Sequence, residues 1–179
     1  MRSKLIAPKA RLIRFPFDLR GKRYIDFGLG LTTGVGCRIE AFSDDGQKTM
    51  KFGRNVQLND YVHISSMKQV VIGDNVLIAG KVYISDNAHG YYGGTREDTS
   101  PDIIPIERKY DISSVIIEEN TWIGENVVVL PNTVIGRGSV IGANSVVKGY
   151  IPPYSIAVGA IAKVIKKYNF ETQKWEKIN

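Results

Sequence analysis

The chain has 179 residues, room for one domain with a core of its own. Hydrophobic residues make up 43% and charged residues 23%, which excludes wholesale disorder. No apolar run approaches the roughly 20 residues of a membrane span. The net charge of +6 favours an anionic partner: nucleic acid, a membrane surface or a small phosphorylated ligand.

Arg2, Lys4, Lys9, Arg11, Arg14, Arg20, Lys22 and Arg23 crowd the first 23 residues against Asp18 alone. Lys163, Lys166, Lys167, Lys174 and Lys177 form a second basic group near the C-terminus. Both groups read equally well as solvated ends. Nucleic acid is not the expected partner, because no recognition-helix or RNA-binding pattern accompanies the charge. Met1–Lys9 is basic with no apolar stretch behind it, so the expected location is the cytoplasm. One cysteine, Cys37, and two histidines do not suggest a disulfide or a structural zinc site, and no metal is expected.

Along the chain the dominant signal is a beat of six residues, which fits neither a helix nor a simple strand. It is faint around Leu29 and Val35, and Phe42–Lys51, with Asp44-Asp45-Gly46, reads as a small hairpin excursion. Phe52, Leu58 and Ile64 then recur, with Val56 and Val62 four positions after the first two. Ile72, Ile78 and Ile84 follow, with Val76, Val82 and Ala88 at the same offset. Ile117, Ile123, Val129, Ile135 and Ile141 complete the series, with Thr121, Val127, Thr133, Ser139 and Ser145. A short extended piece and a turn, repeated, would turn one large and one small side chain inward on each side of a coil. Gly, Asn and Asp at the other places tolerate the corner backbone, as in Gly73–Asn75, Glu118–Asn120, Gly124–Asn126 and Pro131-Asn132. Stacked coils lie about 4.8 Å apart. The beat slips between Ile64 and Ile72 and breaks between Ile84 and Ile117, so Gly90–Ser114 is expected to leave the coil as a functional loop.

The run from Ile117 to Val146 resembles the hexapeptide repeat of the left-handed parallel β-helix acyltransferases, and the resemblance covers roughly Leu29 to Lys167. It implies an all-β fold: a triangular prism with an extruded loop and a short C-terminal helix or tail. The expected division is 1–28 for the basic arm and first coil, 29–167 for the prism with its loop at 90–114, and 168–179 for the tail. It also implies a homotrimer with active sites between neighbouring prisms.

Ser85-Asp86-Asn87-Ala88-His89-Gly90 looks like the catalytic-histidine segment of the family's sugar O-acetyltransferases. His89, expected to point outward beside an inward Ala88, suits the abstraction of a proton from a hydroxyl; Asp86 is carried with it as a substrate contact. A surface histidine with no role is the bland alternative. By the same resemblance Trp122 lies beside the acceptor or pantetheine arm and Asn59 contacts the acceptor, although a corner residue is nearly as good a reading of Asn59. His63 is a second acceptor contact or part of an interface. The donor implied is acetyl-CoA, with Gly142 and Ala143 as a bare slot, Lys148, Lys163 and Lys166 for its phosphates, and backbone amides at Gly124 and Glu125 for the oxyanion. Pro152-Pro153-Tyr154-Ser155 through Gly159-Ala160-Ile161-Ala162-Lys163 resembles the family's closing motif, with Ile161 where proline is usual; Lys148-Gly149 is a second departure from the family.

Arg14–Gly21 and Tyr168–Trp175 resemble members found in lipopolysaccharide and capsule assembly, which implies a sugar or glycan acceptor and a place at the inner membrane surface. The expected activity is therefore acetyl-CoA-dependent O-acetylation of a sugar hydroxyl. N-acetylation of an amino-sugar nucleotide is the alternative. A metal-dependent hydratase of the γ-carbonic anhydrase type lacks the histidines it needs, and an inert β-solenoid scaffold is a further reading.

Overall fold

The computed structural model describes residues 2–178. After a single-turn helix, α1 (Arg2–Ile6), the chain is a succession of short strands that come in threes. The first coil is β1 (Leu12–Ile13), β2 (Phe17–Arg20) and β3 (Ile25–Asp26); the second is β4 (Thr32–Thr33), β5 (Cys37–Ala41) and β6 (Met50–Phe52). The third is β7 (Gln57–Leu58), β8 (His63–Ser66) and β9 (Val70–Ile72). The fourth holds β10 (Leu77–Ile78) and β11 (Tyr83–Ser85), then an excursion with β12 (Asn87–His89) and β13 (Tyr110–Ile112), then β14 (Val115–Ile117). In the fifth, β15 (Trp122–Ile123) precedes β16 (Val128–Ile135), and in the sixth β17 (Val140–Ile141) precedes β18 (Val146–Ile151). β19 (Ser155–Val158), β20 (Lys163–Asn169) and β21 (Lys174–Lys177) end the chain.

Equivalent strands pair in parallel, coil on coil, and build three faces. The first face runs β1-β4-β7-β10-β15-β17-β19. The second runs β2-β5-β8-β11 and continues through the first halves of β16 and β18. The third runs β3-β6-β9-β14 and continues through the second halves of the same two strands. Trp122 pairs with Val140, eighteen residues on, which is one turn of three hexapeptides. The expected parallel β-helix is therefore present.

Its interior is the six-residue column. Phe52, Leu58, Ile64, Ile72, Ile78, Ile84, Ile117, Ile123, Val129, Ile135 and Ile141 are all buried. So are the smaller residues named with them, from Val56 to Ser145, save Ala88. Burial of branched side chains of this size contributes about 1.5–3 kcal/mol each. Asparagines make the corners. Asn55, Asn75 and Asn120 take positive φ and bond side chain to side chain up one edge, and Asn126 and Asn144 do so on another.

The structure corrects the expectations in four places. Upstream, the inward column is Ile13, then Thr33 and Ile39, while Leu29 is exposed; a threonine at an aliphatic place hides the phase. Phe42–Thr49 is a turn in which the Asp45 carboxylate accepts from Ser43 Oγ and Gln47 N, with no paired strands. The large excursion begins at Asp86, not Gly90, because Asn87–His89 leaves the ladder to pair antiparallel with Tyr110–Ile112; Ala88 is exposed for that reason. The C-terminal piece, expected as a short helix or tail, is an antiparallel hairpin, β20 on β19 and β21 on β20, with no helix among its described residues.

Candidate active site

The sequence-expected residues fall on two edges of the prism. One edge separates the first and second faces, and its residues come from successive coils. Asn59, Gly124 and Gly142 stand at the same place on three of them, each directly after an inward residue of the first face: Leu58, Ile123 and Ile141. Each amide continues the ladder, donating to Ile78 O, Ile141 O and Ala157 O respectively at 2.9 Å. A Cβ on Gly124 would lie 2.7 Å from Ala143 N, so only glycine lets the fifth and sixth coils close at this corner.

The next position along the same edge decides which amides stay open. A carboxylate on one coil can cap the amide of the coil below: Asp60 Oδ1 accepts from Val35 N at 2.9 Å, and Glu125 Oε2 from Gly80 N at 3.1 Å. Gly80, Ala143 and Gly159, at the same place on the other coils, have no carboxylate to offer. The N–H groups of Asp60, Glu125 and Ala143 therefore make no hydrogen bond within the chain, among the described residues. An oxyanion pair at Gly124 and Glu125 is corrected accordingly: the Gly124 amide is committed to Ile141 O, and the free donors are those of Glu125 and Ala143. The signal lies in the sequence, as the alternation of carboxylate and bare residue after each corner.

Trp122 stands on the first face beside this edge and is 51% exposed. Val140, Ile156 and Lys166 continue its outward row. At about 4.8 Å per strand the row runs about 14 Å from indole to ammonium, and Lys163 lies on the same strand as Lys166, opposite Val158. An apolar track with free amides at one end and cations at the other suits an extended ligand with an anionic terminus. The Asn59 side chain is exposed on the same edge, two coils below Gly124.

The other edge separates the second and third faces and carries the excursion. His89 is exposed at the end of β12, and its ring lies 4.5 Å from that of Tyr110 at an angle of 44°. Neither ring nitrogen makes a hydrogen bond among the described residues. Tyr92 Oη donates to His89 O at 2.6 Å, and Arg108 donates to Tyr92 Oη and to the carbonyls of Ile103 and Pro101, tying the loop together. Nothing in the sequence pattern points to Tyr110, since only the strand register brings it to His89.

Asp86 is not a substrate contact. It is fully buried, and its carboxylate accepts from Ser66 Oγ, Asn87 Nδ2 and the amides of Met67, Lys68 and Gln69, all within 3.0 Å. It closes the corner from which the loop departs. Lys148 does not join Gly142 and Ala143 either. It lines a cavity of about 330 Å³ with Ala88, Tyr92, Asp111 and Asn132, on the loop edge.

His63 lies on the second face between the two edges, half-buried. Its Nε2 is 3.0 Å from Glu40 Oε1, and its ring is 5.0 Å from that of Tyr83. Burial acts to raise the Glu40 pKa, but hydrogen bonds and charge from His63 and Arg38 outweigh it and hold the carboxyl below its ordinary range. Cys37 is buried with its Sγ 3.1 Å from Asn59 O, and burial raises its thiol pKa; it is a core residue and no nucleophile.

The candidate residues thus fall on two different edges: His89 and Lys148 on one, Asn59, Trp122, Glu125, Ala143, Lys163 and Lys166 on or beside the other. No single groove within the chain contains both groups.

Residues 114–149 match the family model for bacterial transferase hexapeptide (six repeats). The chain is 50% identical over 167 residues to WbbJ of Escherichia coli K12, named as a lipopolysaccharide biosynthesis O-acetyl transferase; the match covers 93% of this chain and 84% of that protein. A solved galactoside acetyltransferase in complex with coenzyme A is 26% identical, with a TM-score of 0.56 over 99% of this chain and 77% of that one. AntD, an N-acyltransferase from Bacillus cereus solved with dTDP-4-amino-4,6-dideoxyglucose and coenzyme A, has a TM-score of 0.74 at 18% identity, covering 96% of this chain and 91% of that one. That last likeness is one of fold.

Proposed function

Because the chain belongs to the hexapeptide-repeat transferases and is an acetyltransferase of that family, we propose that it moves an acetyl group from acetyl-CoA to a sugar hydroxyl in lipopolysaccharide assembly. The observation that carries this reading is the exposed His89, its ring nitrogens free of hydrogen bonds, on one edge together with the uncapped amides of Glu125 and Ala143 on the other. The identity to WbbJ supports oxygen as the acceptor atom.

The site is complete between copies. His89 of one copy faces the Trp122–Ala143 edge of the next in a homotrimer, which covers the exposed indole. His89 takes the proton of the acceptor hydroxyl while the oxygen attacks the thioester carbonyl. The amides of Glu125 and Ala143 donate to the oxygen that becomes negative, a stabilisation available only as charge develops there. When the carbon–sulfur bond breaks, the imidazolium returns its proton to the departing thiolate. The products are the O-acetyl sugar and coenzyme A. Lys163 and Lys166 meet the phosphates at the far end of the row.

A thiol-release assay over sugars bearing hydroxyls, with amino-sugar nucleotides in parallel, tests the reaction. Turnover on a hydroxyl acceptor is expected, and His89→Ala should lower kcat by about 10²–10⁴-fold with the acetyl-CoA KM unchanged. Transfer to amines alone would overturn the choice of acceptor, and wild-type turnover in the variant would remove His89 from the mechanism.

A further inference from the structure

The N-terminal end of the prism carries a second feature, unrelated to either edge. A cavity of about 580 Å³ opens there, floored by Ile6, Ile25 and Phe27. Lys9, Lys22, Arg23 and Lys48 surround it, and Asp26 is the one acid in its lining. The cations are not neutralised. Lys22 Nζ donates to Leu5 O at 2.8 Å and Lys48 Nζ to Ile25 O at 2.9 Å, and Arg23 lies over the Tyr24 ring at 4.6 Å. None of the four makes an ion pair with an acid among the described residues. Beside them Leu5 is 74% exposed on α1 and Leu29 is 59% exposed.

We propose that this end of the molecule docks on a bilayer of anionic phospholipid. Lys9, Lys22, Arg23 and Lys48 meet the head-group phosphates, while Leu5, Leu29 and the cavity floor take up the apolar boundary beneath. Charge complementarity selects the occupant, since four uncompensated cations need a dense anionic surface. The leucines separate a bilayer from a polyanion in water: nucleic acid offers them nothing to enter, whereas the head-group and acyl boundary does. The proposal stands apart from the acetyl-transfer reading, because none of these residues belongs to either group of candidate residues.

Co-sedimentation of the full chain with phosphatidylglycerol–phosphatidylcholine vesicles, and with phosphatidylcholine alone, tests it. Binding is expected to the mixed vesicles only, and to weaken as salt rises. Combined K9E, K22E and K48E substitutions should lower partitioning by about 100-fold or more. Leu5→Ser, at a position outside the core, should lower it several-fold without altering the fold, whereas K174E with K177E at the opposite end should change it little. Equal binding to both vesicles, binding to neither, or binding unaffected by Leu5→Ser and displaced by a short DNA duplex would overturn the proposal.

Discussion

Removing the Asp86 carboxylate leaves three backbone amides without their acceptor. Asp86→Ala should therefore cost about 3–5 kcal/mol of stability, seen as a lower urea midpoint at unchanged slope. An unchanged midpoint with a raised acceptor KM would instead make Asp86 a substrate contact. Glu40 ties stability to pH. Its carboxyl is held below the ordinary value of 4.5, so the unfolded chain takes up the proton first. The stabilisation is complete above the ordinary value and is lost as pH falls through the folded one. Glu40→Gln should accordingly melt below the wild type at pH 7, and the gap should narrow as the buffer is taken down to about pH 3. A gap that stays constant across that range would remove the carboxylate from the account.

At the scale of elements, the repeat was legible because each hexapeptide must turn a branched residue inward, and the column from Phe52 to Ile141 is buried as that requirement demands. The first two coils are harder to see: Thr33 occupies an aliphatic place, and a phase set on Leu29 points the wrong way. The loop was legible as an interruption, but its boundary was not, since β12 and β13 are fixed by pairing across a long gap. The same pairing sets His89 against Tyr110, which no local pattern encodes. Ile103, Ile104 and Ile106 are all exposed on this loop, so it adds nothing to the core; under the proposed function it would cover the acceptor. Replacing residues 91–109 by a short glycine–serine turn should move the melting temperature by only about 4 °C or less. Acceptor KM should rise about tenfold or more, with acetyl-CoA KM unchanged. A collapse of stability would show that the loop braces the prism.

For the whole molecule, the distribution of the candidate residues over two edges is the part the sequence conceals. His89, Gly124 and Gly142 each follow a place in the repeat that should turn inward, yet Gly124 and Gly142 come directly after strands of the first face, whereas His89 lies on β12, which leaves the prism after the second face. Lys148 is close to Gly142 along the chain and lies instead beside the loop. In the homotrimer proposed above, each copy would present its histidine edge to the donor edge of the next. Co-expression of His89→Ala chains with Ala143→Trp chains tests this directly, because each variant damages one edge and leaves the other intact. Each variant alone should be nearly inactive. The co-expressed population should recover about a quarter of wild-type turnover, the share of junctions that unite two intact edges by random assembly. Mixtures no more active than the separate variants would contradict a site shared between copies.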